Sequence, residues 1–171
     1  MKGVAVFLTA LLVSAPVFAH PAEVENIPSS RYFEVTLNEI QQAKSSIRLT
    51  MYLFVLPVDR ESKVRRLADA LIEARKRGVD VKVVLDRNAW QDPTAKNLEA
   101  FRYLRDRNVE VFYDDEGKQT HAKAMVIDGQ TVILGSSNWS ESALSRNVEA
   151  NVLIRSKELA AELLAGLEPT T

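Results

Sequence analysis

"ESKVRRLADALIEARKRGVDVKVVLD", residues 61–86, contains a change of period that decides the class of fold. Val64, Leu67 and Leu71 recur three or four residues apart, which places them on one face of a helix. Bases gather in its last turn, and Gly78 follows where a helix needs a closing residue with freedom to turn left-handed. The valine-rich run VDVKVVLD comes next and has the composition of a buried strand. A helix feeding directly into a buried strand is the repeating unit of an α/β sheet.

The rhythm continues on both sides. Upstream, RYFEVTLNEIQQAK (31–44) spaces Phe33, Leu37 and Ile40 at near-helical intervals, and SSIRLTMYLFV (45–55) reads as a strand. Downstream, a helix is expected from about Pro93 to Arg107, with Leu98, Phe101 and Leu104 inward, followed by the strand VEVFY (109–113). From Thr120 the order changes to strand, tight turn, strand, a short helix over 140–145, the strand VEANVLIR (148–155) and a closing helix from Ser156 to about Leu167. The expected architecture is one α/β domain, residues 31–171, with a mixed, largely parallel sheet flanked by helices.

The 171 residues suit a single domain, and an apolar fraction of 46% suffices for an ordinary core. Residues 1–19, MKGVAVFLTALLVSAPVFA, carry Lys2, then an uncharged apolar stretch, then small or helix-breaking residues up to Ala19. That is the pattern of a secretory signal peptide cleaved before His20, with an uncleaved N-terminal membrane anchor as the alternative. In a bacterium the domain would then be periplasmic or secreted. Residues 20–30, HPAEVENIPSS, are polar and punctuated by proline, and are expected to form a loose leader.

The sequence contains no cysteine, so neither disulfides nor thiolate metal ligands enter the chemistry. Without residues 1–19 the chain has 21 basic against 23 acidic residues, a formal charge of −2, so no global basic field draws in nucleic acid.

The stretch richest in chemistry is THAKAMVIDGQTVILGSSNWS, residues 120–140. On a strand starting at His121, side chains two apart share a face, so His121 and Lys123 project together, an arrangement suited to an anion but also common on an exposed strand. Asp128 and Gly129 lie between two apolar runs, where Asp-Gly is a short hairpin turn, so a structural role for Asp128 outranks a catalytic one. At Gly135 the second strand gives way to Ser136 and Asn138, donors beside a helix start. They could cradle a phosphate or simply cap the helix.

Taken together, His121-x-Lys123, four residues, Asp128, six residues and Gly135-Ser136-x-Asn138 resemble the HKD motif of the phospholipase D superfamily, with every fixed residue and gap present. SSIRLTMYLF, ALIEARKRGVDVKVVLD and NVEANVLI also resemble family segments in the same order, extending the resemblance over roughly residues 40–155. The resemblance implies a two-step phosphodiester transfer. His121 would be the nucleophile, while Lys123, Ser136 and Asn138 hold the nonbridging oxygens. Fixed donors aimed at charge that develops in the transition state fit that chemistry. Glu149 aligns with an acidic residue that orients the motif histidine, with a solvated strand-edge charge as the alternative, and Asn147 is a weaker candidate for the same place.

The chain has two histidines, and His20 lies at the signal boundary. Family members with one motif resemble the bacterial Nuc-type endonucleases, which form symmetric homodimers. The implied catalytic unit is therefore a homodimer with both copies of His121 at one site. No metal or cofactor is expected, and Asp114, Asp115 and Glu116 read as a solvated turn.

The preferred substrate is nucleic acid, DNA ahead of RNA, with Arg60, Lys63, Arg65 and Arg66 as a basic rim or simply the polar face of a helix. Trp139 could stack on a base or pack inward. The alternative is a phospholipase acting on lipid headgroups, with YLFVLPV (52–58) as the one candidate apolar rim. A noncatalytic anionic-ligand binding module is a third reading.

Overall fold

The computed structural model describes residues 19–57, 61–87, 93–115, 117 and 119–167. Its elements are β1 (Glu23–Pro28), α1 (Ser29–Gln42), β2 (Ser46–Met51), α2 (Lys63–Lys76), β3 (Asp80–Leu85), α3 (Pro93–Arg105), β4 (Glu110–Tyr113), β5 (Lys123–Ile127), β6 (Thr131–Gly135), α4 (Glu141–Ser145), β7 (Ala150–Arg155) and α5 (Lys157–Leu167). The strands form one sheet in the order β1-β7-β6-β5-β2-β3-β4.

The opening stretch folds as its periods require. Ser62 caps α2 by accepting from the Arg65 backbone N–H at 2.9 Å, and the chain leaves the helix through Gly78 at a φ of 93°. Val64, Leu67 and Leu71 are fully buried against Ile47, Leu49, Val81, Val83 and Leu85 in the main core, where α1 to α4 cover one face of the sheet. On the other face α5 packs Ala160, Leu163 and Leu164 over Val126, Val132 and Ile154.

Two expectations need correction. The sheet is mixed but not largely parallel: β2–β3 and β3–β4 are parallel, whereas β2–β5, β5–β6, β6–β7 and β7–β1 are antiparallel. A crossover helix separates each parallel pair, but a tight Asp-Gly turn joins β5 to β6 and permits only an antiparallel return.

Residues 20–30 are also not a loose leader. β1 lies there, pairing from Glu23↔Arg155 to Pro28↔Ala150, and α1 already starts at Ser29. As an edge strand it buries Ile27 alone, so its sequence shows no two-residue alternation. His20 joins the fold as well, with Nε2 2.8 Å from Glu162 Oε1 on α5. Residues 1–18, on which the signal-peptide reading falls, lie outside the described residues. Among the described residues no helix is long and apolar enough to cross a membrane.

Candidate active site

The β5–β6 hairpin carries the motif, and its two ends differ in character. At the turn, Asp128 and Gly129 have φ of 52° and 62°, the positive pair of a primed hairpin turn. The Asp128 carboxylate accepts from the backbone N–H of Lys44 (2.9 Å), Ser45 (2.7 Å) and Ser46 (3.0 Å) and from Ser45 Oγ (2.9 Å). Burial alone would raise its pKa, but these donors together outweigh burial and hold the carboxyl below its usual value. Asp128 thus ties the hairpin turn to the α1–β2 connection, which is the structural role its turn position suggests.

At the open end, Lys123 starts β5 and is buried, whereas His121, two residues earlier, is exposed. Lys123 Nζ donates to the His121 carbonyl at 2.7 Å and lies 3.1 Å from Nδ1 and 3.4 Å from Nε2 of the same imidazole. The lone-pair directions of the two ring nitrogens diverge, so an ammonium near both faces the ring rather than following either one. The Tyr52 ring packs on the imidazole with centroids 4.3 Å apart at 47°, and Lys123 Nζ is 4.9 Å from the Tyr52 centroid. Burial pushes the Lys123 pKa down from the ordinary lysine value, with the Glu149 and Asp86 carboxylates pulling it partly back.

Across the hairpin, Gly135 lies tight against β7. A Cβ there would come within 2.2 Å of Asn151 Oδ1 and 2.5 Å of the Ala150 carbonyl, so glycine is required by space alone. Ser136 follows on the surface. Its hydroxyl donates to Glu149 Oε2 in a short hydrogen bond and accepts from the Ala150 N–H at 3.0 Å. Asn147 Nδ2 donates to Glu149 Oε1 at 2.9 Å. Asn138 is half-buried, and its side-chain oxygen is buried without a hydrogen-bond partner.

The fold therefore brings His121 to Lys123, and Ser136 to Glu149 and Asn147. Glu149 gives its two oxygens to Ser136 and Asn147, not to His121, and acts on the Lys123 ammonium through its charge. Trp139 is fully buried, edge-on to Phe54 at 4.8 Å and donating from Nε1 to the Tyr32 hydroxyl at 3.3 Å, so it packs and cannot stack on a base. On α2, Lys63 donates to the Leu144 carbonyl, Arg65 pairs with Asp69, and Arg66 lies over the Phe33 ring. These cations are engaged within the protein, and Arg60 lies outside the described residues.

Asp114 is not part of a solvated turn. It is buried and accepts from the Arg87 N–H at 2.7 Å and the Thr120 N–H at 3.1 Å, while Glu116 lies outside the described residues. Among the described residues no group of three or more carboxylates or histidines could hold a metal ion.

Three residues at the site were not anticipated as such: Tyr52, Asp86, whose carboxylate accepts from the Thr120 N–H at 2.7 Å, and Asn97 on α3. Tyr52 stood in a run that reads as a buried strand or, for a lipid substrate, as an apolar rim. A lone asparagine in a helix carries no signal at all.

A family model described as "Cardiolipin synthase, PLD-like domain" matches residues 36–169. A phospholipase D of Rickettsia typhi is 36% identical over 98 residues, 57% of this chain and 46% of that protein. A mitochondrial cardiolipin hydrolase of Xenopus laevis is 31% identical over 122 residues, 71% of this chain and 52% of that protein. The chain spans about half the length of these curated relatives. Among solved structures, Nuc from Salmonella typhimurium, a phospholipase D family member, superposes with a TM-score of 0.69 at 29% identity, covering 86% of this chain and 91% of that one.

Proposed function

The chain belongs to the phospholipase D-like family, and from that premise we propose that it is a phosphodiesterase working through a covalent phosphohistidine at His121. The observation that carries this reading is the buried Lys123 ammonium facing an exposed His121 imidazole at one end of the sheet. A phosphodiester placed against that pair would meet a nucleophile on one side and a fixed cation for its nonbridging oxygens on the other. The Asn138 side-chain amide adds a donor to the oxygen-binding set, and the Ser136 hydroxyl joins it by turning its proton from Glu149 to the substrate.

In the first step a His121 ring nitrogen forms a bond to phosphorus and the bond to the leaving oxygen breaks, that oxygen taking a proton from a second imidazole. Water then gives a proton back to the second imidazole as its oxygen bonds to phosphorus, the P–N bond breaks, and both imidazoles are restored. The chain's second histidine is held by Glu162, near the end of the sheet where Glu23 pairs with Arg155. His121 is beyond the other end, where Pro28 pairs with Ala150. A symmetric homodimer that brings two copies of His121 to one phosphorus supplies the missing acid. Sedimentation of the purified protein tests the dimer, and N-terminal sequencing of the protein from its source tests cleavage before His20 and export.

We place nucleic acid first among substrates, DNA ahead of RNA, on the resemblance to single-motif Nuc-type endonucleases and the likeness to Nuc over most of both chains. A phospholipid headgroup is the second reading. It is favoured by the names of the curated relatives and by Val148, an apolar side chain 98% exposed beside Glu149. The test is cleavage of labelled single- and double-stranded DNA in excess EDTA, beside phospholipid vesicles and beside His121→Ala. Metal-independent DNA cleavage lost in the variant supports the nuclease. Headgroup release with intact DNA and RNA selects the lipase. Turnover that persists in His121→Ala contradicts both.

A further inference from the structure

We infer that Tyr52 is a positioning residue of this site, holding the His121 imidazole against the Lys123 ammonium, with Asn97 anchoring the backbone that carries it. The purpose of that positioning rests on His121 being the nucleophile. The geometry does not.

Tyr52 stands one residue beyond β2 and extends its ladder, donating its N–H to the Ala122 carbonyl at 3.0 Å. That bond sets Tyr52 opposite the residue between His121 and Lys123, and its one ring reaches both side chains. To the imidazole it offers an aromatic surface in tilted contact, and to the ammonium it offers the electron-rich face of a π system. An exposed histidine otherwise samples several rotamers, and a nucleophile spread over rotamers loses the near-attack geometry.

Asn97 explains why Tyr52 stays in place where the regular strand has ended. It is fully buried on α3, and its Oδ1 accepts from the Phe54 N–H at 2.8 Å while Nδ2 donates to the Tyr52 carbonyl at 2.9 Å. The side-chain amide brackets Leu53 as a neighbouring strand would, supplying one acceptor and one donor. Nδ2 also donates to the Asp86 carbonyl at 3.0 Å, and the Asp86 carboxylate accepts from the N–H of Thr120, the residue before His121. One buried amide therefore fixes both the ring that packs on the imidazole and the residue after β3 that holds the backbone leading to it. Such supporting contacts are what keep a reactive group within a fraction of an ångström of its working position.

The experiment compares full-length wild type with Tyr52→Leu, Tyr52→Met and Tyr52→Phe. It records the His121 ring resonances by NMR, and kcat and KM on bis(p-nitrophenyl) phosphate. In the wild type a nuclear Overhauser contact joins the Tyr52 and His121 rings. Losing the ring in Leu or Met moves the His121 resonances and lowers kcat roughly ten- to a hundredfold with KM nearly unchanged. Phe, which keeps the ring, restores both. Absence of the contact in the wild type, unmoved His121 resonances in a folded Leu or Met variant, or an unchanged kcat in an active protein overturns the inference. If the wild type turns over no phosphodiester while the resonances still follow the ring, the positioning stands and the reading of His121 as nucleophile falls.

Discussion

The two ends of the β5–β6 hairpin use their polar residues in opposite ways. At the turn, Asp128 collects backbone and hydroxyl donors from three consecutive residues, and they hold its carboxyl low. At the open end burial pushes the Lys123 ammonium down, the Asn138 oxygen is buried without a partner, and His121 faces solvent. A saturated polar group contributes to stability, whereas a buried polar atom without a partner, or a buried cation, costs it. On the function proposed above, one short motif contains both a structural staple and a reactive end, and substitutions should separate the two.

The largest separation is expected from His121→Ala. Turnover should fall by roughly four orders of magnitude or more, as for other lost nucleophiles, while the denaturant midpoint hardly moves because the side chain is exposed. A cleavage assay beside an unfolding curve checks both halves, and a large loss of stability would break the comparison.

Asp128→Ala should do the converse. Removing an ionised acceptor from several donors, at a left-handed position, costs about 2–4 kcal/mol of stability, yet the folded fraction should keep kcat within a few-fold. Gly135→Ala falls between them, because its Cβ would collide with Asn151 and the Ala150 carbonyl. About 1–3 kcal/mol of stability should be lost to overpacking, and turnover should fall too because Ser136 and Asn138 follow directly. Unfolding curves read beside kcat per folded molecule settle both.

The acid and base limbs sharpen the contrast. Asp128 has a lowered pKa in the fold, so its contribution is full above the unfolded value, near about 3.9, and is lost as pH falls toward the folded one. Asp128→Asn should flatten that acid limb of stability. Lys123 is also lowered, but it is a cation, so the folded protein gives up this proton first. Its burial penalty then disappears as pH rises from the folded pKa toward about 10.4. Turnover that needs the ammonium should therefore decline below the ordinary lysine pKa, and Glu149→Gln should move that decline to lower pH. A pH–rate profile of wild type and variant checks the direction.

The smallest effect is expected from His20→Gln, which removes a partly exposed pair with Glu162 on the far side of the sheet. Turnover should stay within about twofold and stability within about 0.5 kcal/mol. A large loss of turnover would break the assignment of a single working imidazole per chain.

How much of this was legible depended on whether the signal was local. Helix α2 and strand β3 followed from an apolar period ending at Gly78, and the Asp128–Gly129 turn from two adjacent residues between apolar runs. β1 was not legible because an edge strand that buries only Ile27 has no apolar face to advertise. Nor was the antiparallel placement of β5 beside β2, which runs from Ile47↔Ile127 to Met51↔Lys123 between segments far apart in the chain, a pairing that no local period encodes.

The same division runs through the site. His121, Lys123, Ser136 and Asn138 lie within eighteen consecutive residues at fixed spacing and could be read as a unit. Glu149 meets Ser136 only because β7 pairs with β6, and Tyr52 and Asp86, each just past the end of β2 and β3, converge with Asn97 of α3 through tertiary hydrogen bonds. Asp114 was misread for a related reason: a run of acids looks solvated until the fold buries one against two backbone N–H groups.

The central claim is that His121 attacks phosphorus, and rapid quenching during turnover followed by mass spectrometry of the digested protein tests it most directly. A phosphoryl-bearing adduct on the peptide containing His121, formed and lost at the rate of turnover and missing in His121→Ala, is the predicted result. Steady turnover with His121 unmodified at every quench time, under conditions that preserve a P–N bond, would contradict it.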